Sequence, residues 1–190
     1  MADSFKNLRV ECAGKVYEPA EDSTLLAKTI IINNKETLLD VGTGSGFVAL
    51  SAAGRTAKVL GVDIDPEAID CARGNALNND IDNAEFCVSD LFENVEGKFD
   101  VITFNPPYLP SGGVEDNAVD GGENGIELVE RFLTQVSDYL NPGGRVYLLV
   151  SSLNNIEKVG KMFEEKRFTT KTAAEEKLFF ETLYVIQASY

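Results

Sequence analysis

Short apolar runs alternate with longer amphipathic stretches along this chain. Residues 37–41 (TLLDV), 58–62 (KVLGV), 85–88, 100–104 (DVITF) and 145–151 (RVYLLVS) read as strands. Most are nearly continuous in apolar residues, as expected of strands covered on both faces. Between them, 47–55, 66–79 and 125–140 have helical length. In the last of these Ile126, Val129, Phe132, Leu133, Val136 and Leu140 recur at three- and four-residue steps, which makes one apolar face. Asn141-Pro142-Gly143-Gly144 is expected to stop that helix, since proline cannot continue it and glycine accepts a left-handed turn. A further helix is expected from Glu21, ahead of the first strand. After Ser151 the rhythm changes: 154–166 reads as a helix, and 168–172 and 178–189 read as two strands joined by a short charged turn. Five strands separated by helices suit a doubly wound, mostly parallel α/β sheet, and the last two suit an antiparallel hairpin. The expected organisation is one domain with three parts: a leading segment and helix (1–36), a central α/β core (37–151), and a closing helix and strand pair (152–190).

Length and charge narrow the picture. At 190 residues a single core buries enough apolar surface to need no disulfide or metal staple. Seventeen Lys and Arg stand against 31 Asp and Glu, a net charge of −14, which weighs against broad contact with a phosphate backbone. The chain has no histidine, so Ser-His-Asp and Cys-His catalysis and all His-containing metal sites are excluded. Its three cysteines, Cys12, Cys71 and Cys87, are scattered and form no C-x-x-C pair, which points away from a zinc site and toward a reducing compartment. The first ten residues lack the apolar centre of a signal peptide, and no apolar run approaches 18 residues. The expectation is a soluble cytoplasmic protein with no bound metal.

The strand-to-helix turn Asp40-Val41-Gly42-Thr43-Gly44-Ser45-Gly46 carries the first candidate chemistry. In open α/β sheets ligands bind beyond the carboxyl ends of strands, and glycines there let the backbone come close to them. The spacing matches neither phosphate motif. Counting from Gly42, the last position of a dinucleotide fingerprint falls on Phe47, and no Gly-Lys-Ser/Thr follows. Asp63 closes the second strand about 20 residues on, where a carboxylate bonds ribose hydroxyls. Asp65-Pro66 reads as an N-cap with proline in the first helical turn. Asp90 follows the third strand in Ser89-Asp90-Leu91. Acids at three successive strand ends suit a ligand that is cationic and carries ribose but no phosphate. S-adenosylmethionine has those properties.

Asn105-Pro106-Pro107-Tyr108 directly follows the fourth strand. Two prolines make a rigid strand exit. The Asn105 side-chain oxygen and the Pro106 carbonyl supply acceptors, and Tyr108 supplies an aromatic plate. Together they could hold a planar –NH₂ group, either an adenine amine or a glutamine amide. Residues 109–124 follow without periodicity and with four glycines, which makes them either a surface loop or a lid over the substrate.

These motifs, DVGTGSG, GVDID, SDL and NPPY, resemble those of class I S-adenosylmethionine-dependent methyltransferases that act on amino groups. Tyr17-Glu18-Pro19-Ala20-Glu21-Asp22-Ser23 and Asp120-Gly121-Gly122-Glu123-Asn124-Gly125 are similar to segments of the short eukaryotic–archaeal branch of release-factor glutamine methyltransferases. The resemblance implies a Rossmann-like seven-stranded sheet of order 3-2-1-4-5-7-6. It implies methylation of the glutamine of a Gly-Gly-Gln motif in a translation termination factor. The cofactor would contact Ser23, Asp40, Gly42, Asp63, Asp90, Leu91 and Asn105, with Gly44 and Gly46 completing the glycine loop. Asn105, Pro106, Pro107 and Tyr108 would hold the amide. The resemblance also implies a small zinc-binding activator subunit. The apolar third strand, at the sheet edge in this order, is the expected contact, unless the chain's own N-terminal segment covers it. Two other functions fit less of the sequence: an adenine or guanine methyltransferase of nucleic acid, and a cofactor-binding scaffold without catalysis.

Overall fold

The computed structural model describes residues 8–12, 14–107, 126–154 and 156–190. Helix α1 spans Glu21–Thr29, and then strands and helices alternate: β1 Thr37–Val41, α2 Phe47–Ala53, β2 Lys58–Asp63, α3 Pro66–Asn78, β3 Ala84–Val88 and β4 Phe99–Phe104. After the undescribed stretch come α4 Glu127–Gln135, a 3-10 turn Val136–Tyr139, β5 Leu140–Ser151, α5 Ile156–Glu165, β6 Thr169–Lys177 and β7 Thr182–Ser189. Tyr108, the loop 109–124 and the segment 120–125 lie outside the described residues.

The seven strands form one sheet of order β3-β2-β1-β4-β5-β7-β6. The five strands β1 to β5 pair in parallel, and β7 runs antiparallel to both β5 and β6. Both faces are covered, as the apolar runs require. Successive side chains on a strand point to opposite faces. Leu38, Val101, Tyr147, Leu149 and Val185 therefore join the core under α1, α2 and α3. Their chain neighbours Leu39, Ile102, Leu148 and Ile186 join the core under α4 and α5. The apolar face read from the sequence of α4 is fully buried, through Val129, Phe132 and Leu133.

Three local expectations are corrected. The helix expected to reach Leu140 ends at Gln135 and continues as a tighter 3-10 turn. Asn141–Gly144 is not a loop after a helix but an irregular start of β5. Leu140 pairs with Phe99, the register then skips to Val101 and Arg145, and Asn141 Nδ2 donates to Asp100 Oδ1 at 2.9 Å. The third correction moves the last hairpin turn. Residues 173–177, expected as a charged turn, are strand, and the apolar run from Leu178, expected as strand, contains the turn. The sheet edge explains this: β6 has a neighbour on one side only, so Glu175, Glu176 and Lys177 remain solvated within it.

Candidate functional site

The C-terminal ends of β1, β2 and β4, the turn after β3, and the N-terminus of α1 enclose a cleft of about 710 Å³, within the range of small-molecule sites. Of the expected cofactor residues, Ser23, Asp40, Gly42, Gly44, Asp63, Asp90, Leu91 and Asn105 all line it, as do Pro106 and Pro107. Gly46 does not line the cleft. It sits at φ 82 as the left-handed N-cap of α2, and a Cβ there would come within 3.0 Å of the Ala72 Cβ on α3. Its role is close packing of α2 against α3.

The glycine loop is tied down by carboxylates. Asp40 is 2% exposed, and its two oxygens accept from the hydroxyls of Thr103 (2.7 Å) and Thr43 (2.8 Å). Burial raises its pKa to about 6, against the lowering effect of those hydrogen bonds. Asp63 Oδ2 accepts from the Gly44 N–H at 2.8 Å, and Oδ1 accepts from the Asp65 N–H at 3.0 Å. Asp63 thus shapes the loop, and each of its oxygens keeps a further lone pair for a hydroxyl donor. Burial also pushes its pKa upward. Asp65 accepts from the Glu67 N–H at 2.9 Å and caps α3 as expected. Under the loop, a Cβ on Gly42 would meet the Phe104 ring at 3.3 Å, so only glycine lets the turn lie this close to β4.

Across the cleft the SDL turn holds Leu91 at φ 51, a region uncommon for a bulky side chain. Ser89 fixes it: its hydroxyl donates to the Leu91 carbonyl at 3.0 Å and accepts from the Asn94 N–H. Asp90 is paired with Arg131 of α4 at 2.8 Å. The described lining contains five aspartates, 22, 40, 63, 65 and 90, against Lys15 and Arg131. Such a cleft favours a cationic ligand and repels phosphate.

Asn105 is the pivot of the site. Its Nδ2 donates to Asp22 Oδ2 at 3.0 Å and stands 3.4 Å from Ser23 Oγ, both on α1. A carboxylate oxygen accepts and does not donate, so the Asn105 amide nitrogen must face Asp22 and its oxygen must face the other way. That oxygen, Oδ1, is buried and has no hydrogen-bond partner among the described residues. The Tyr17 hydroxyl donates to the same Asp22 oxygen at 3.1 Å. The segment 17–23 is therefore joined to the Asn-Pro-Pro turn through one carboxylate. Asp22 and Arg131 are site residues that the sequence reading missed. Asp22 lay within a quoted motif, but its contact is 83 residues distant. Arg131 belongs to no motif.

A seven-stranded sheet of this order with a reversed last strand, carrying a carboxylate-lined cleft beside an Asn-Pro-Pro strand exit, defines a Rossmann-like methyltransferase. Residues 18–180 match the methyltransferase small domain model, and the chain belongs to that family. It is 40% identical to a Methanocaldococcus jannaschii protein provisionally named a protein N5-glutamine methyltransferase, over 99% of this chain and 98% of that one. Identity to methyltransferase HEMK2 of Homo sapiens is 34%, over 90% and 88% of the two chains. Among solved structures, the E. cuniculi Mtq2–Trm112 complex, responsible for methylation of the termination factor eRF1, aligns with a TM-score of 0.75. The identity is 28%, covering 92% of this chain and 98% of that one. By kinship the chain is an enzyme of the protein N5-glutamine methyltransferase group.

Proposed function

We propose that this enzyme methylates the side-chain amide nitrogen of a glutamine in a translation termination factor, with S-adenosylmethionine as donor. One observation carries the reading: the buried Asn105 Oδ1 has no partner among the described residues. An unsatisfied buried acceptor costs about 1–3 kcal/mol and calls for a donor in the working complex. A primary amide has two N–H donors and fits it. The named roles of the M. jannaschii relative and of the E. cuniculi structure support glutamine as the acceptor and a termination factor as its carrier.

The donor set fits the cofactor. Asp63 would hold the ribose hydroxyls. Asp40 and its neighbours would favour the positive charges, and Ser23, the glycine loop and the SDL turn would frame the remainder. When bound, S-adenosylmethionine supplies a methyl group on a positively charged sulfur that leaves as a neutral thioether. The amide nitrogen is a poor nucleophile because its lone pair is delocalised. Asn105 Oδ1 would accept from one of its N–H groups and the rigid Pro106 carbonyl from the other, which aligns the nitrogen with the methyl. As the N–C bond forms and the C–S bond breaks, the nitrogen would give up one proton to solvent and leave a neutral N-methyl amide. Orientation of this kind contributes roughly 7–11 kcal/mol in well-built sites. Tyr108, outside the described residues, is assigned the face of the amide. No metal enters this scheme. Among the described residues no helix is long and apolar enough to cross a membrane, and the proposed substrate supports a cytoplasmic location.

A small activator, zinc-binding in the reading proposed here, would join at the β3 edge, a proposal supported by the partner chain in the E. cuniculi complex. Among the described residues, β3 pairs with β2 alone. Arg9 and Glu11 pair instead with Asn79 and Asn75 at α3. Val88 is exposed and Cys87 half-buried. Two edge carbonyls are already capped, Phe86 by Arg73 at 2.7 Å and Val88 by Asn94 at 2.9 Å, so a partner strand would displace these side chains. Val88→Lys should weaken such a complex and leave cofactor binding intact. The decisive test of function offers labelled S-adenosylmethionine with a termination factor, duplex DNA and RNA, and locates the methyl by mass spectrometry. Label on a glutamine of the factor is expected. Label on a nucleic-acid base, or on none of the three when the chain is co-expressed with the activator, refutes the reading.

A further inference from the structure

The turn between β6 and β7 places Phe179 and Phe180 in solvent, 93% and 87% exposed, with their rings 4.7 Å apart in an edge-on pair. These are the largest apolar side chains the described surface leaves so open. The turn itself is firmly built. The Leu178 N–H donates to the Glu181 carbonyl at 2.8 Å, the Ser151 hydroxyl donates to the Glu181 carboxylate, and the Ser152 N–H donates to the Thr182 carbonyl. Leu178 packs into the same core as Leu25 and Leu26 of α1, the helix whose first turn holds Asn105. The fold thus holds two aromatic rings outward on a rigid hairpin that gains nothing from them in stability.

Their place in the sheet gives them a use. Phe104, the residue before Asn105, is level with Leu148 of β5, which is level with Ile186 of β7. From Ile186 to Thr182, the last paired residue of β7, the hairpin runs four residues past that level, about 13 Å, with the turn beyond. Sideways it is two strands from β4, roughly 10 Å. The cleft that takes the cofactor opens toward β1, β2 and β3, and the hairpin stands on the other side of Asn105. The hairpin is thus within reach of a macromolecule that delivers a side chain to Asn105. The β3 edge, proposed for the activator, is at the opposite end of the sheet and remains free.

We infer that Phe179 and Phe180 are the docking anchor for the folded domain that carries the target glutamine. The inference rests on the proposed protein-glutamine reading. Aromatic side chains, phenylalanine among them, are enriched at interfaces, where few residues carry most of the binding energy. The hairpin carries Glu175, Glu176 and Glu181 against Lys171 and Lys177, and the chain carries a net −14, so the complementary surface is basic overall with an apolar pocket. The cofactor cleft binds a small ligand, and the anchor gives the enzyme purchase on the protein outside the glutamine loop.

The test compares the wild type with Phe179→Ser/Phe180→Ser on two substrates, the intact termination factor and a short peptide of its Gly-Gly-Gln loop. Both rings lie in solvent, so the variant should melt at the wild-type temperature. The expected result is that kcat/KM for the factor, divided by that for the peptide, falls by at least about tenfold, through KM. An unchanged ratio with an active wild type overturns this inference alone. A wild type that methylates neither substrate overturns the glutamine reading and this inference with it. Sedimentation that shows a wild-type dimer lost in the variant assigns the rings to a second copy and overturns the docking role.

Discussion

Asp22→Ala isolates the device that orients Asn105. In the wild type the Asp22 carboxylate receives both the Asn105 amide, at 3.0 Å, and the Tyr17 hydroxyl, at 3.1 Å. Among the described residues, its removal leaves Asn105 Nδ2 with only the Ser23 hydroxyl, at 3.4 Å. A serine hydroxyl donates as readily as it accepts, so the amide no longer has a preferred way round. A hydrogen bond to a carboxylate contributes about 1.5–3 kcal/mol. If that energy keeps Oδ1 turned to the substrate, its loss lowers kcat by roughly 10- to 150-fold, at 1.36 kcal/mol per decade. Steady-state kinetics with both substrates saturating gives kcat, and calorimetry gives cofactor affinity separately. The orientation argument requires the loss in kcat. A kcat within about twofold of wild type refutes it, and so does a loss found wholly in cofactor affinity. Asp22→Asn should be damaged in kcat too, since its own amide can present nitrogen to nitrogen.

Asn105→Ala, which removes the acceptor itself, should lower kcat by at least about a hundredfold while the circular dichroism spectrum stays native. Asp40 gives a pH signature. Its folded pKa of about 6 lies above the ordinary 3.8, so ionisation opposes folding. The penalty is absent below about pH 4 and complete above about pH 6, where it reaches roughly 3 kcal/mol, at 1.36 kcal/mol per unit. Ligand-free Asp40→Asn should therefore melt higher than wild type at pH 8 and no higher at pH 4, and equal melting at pH 8 contradicts this. The same ionisation should make wild-type affinity for S-adenosylmethionine rise between pH 5 and pH 8, and calorimetry should find that rise flattened in Asp40→Asn. Gly46→Ala places an L side chain at φ 82 against Ala72, and should lower stability by about 1–2 kcal/mol in denaturant melts. An unchanged midpoint would remove the packing role.

Local pattern was enough for much of this molecule because it reports local geometry. Buried strands and the face of α4 could be read from the spacing of apolar residues. The Asp65-Pro66 cap and the glycine turn could be read from the conformations only those residues adopt easily. The resemblance then supplied the order of the seven strands, which the structure shows. The sequence signal failed where a neighbour overruled it. The Leu178-Phe179-Phe180 run has the composition of a strand, yet pairing of β6 with β7 in their observed register puts the turn there and leaves two rings in water. Gly46 shares a motif with Gly42 and Gly44, but packing of α2 on α3 turns it away from the cleft.

The sequence by itself determined most of the elements, the phosphate-averse chemistry of the strand ends and the rigid exit of β4. The tertiary structure alone decided the partners. Asp22 meets Asn105 across 83 residues and Arg131 meets Asp90 across 41, distances over which no periodicity carries information. Those contacts exist because the parallel strand order sets the carboxyl ends of β3, β2, β1 and β4 side by side, with α1 packed on one face of the sheet and α4 on the other. The charge on a carboxylate and the way round of an amide depend on what is packed against them, and folding sets that.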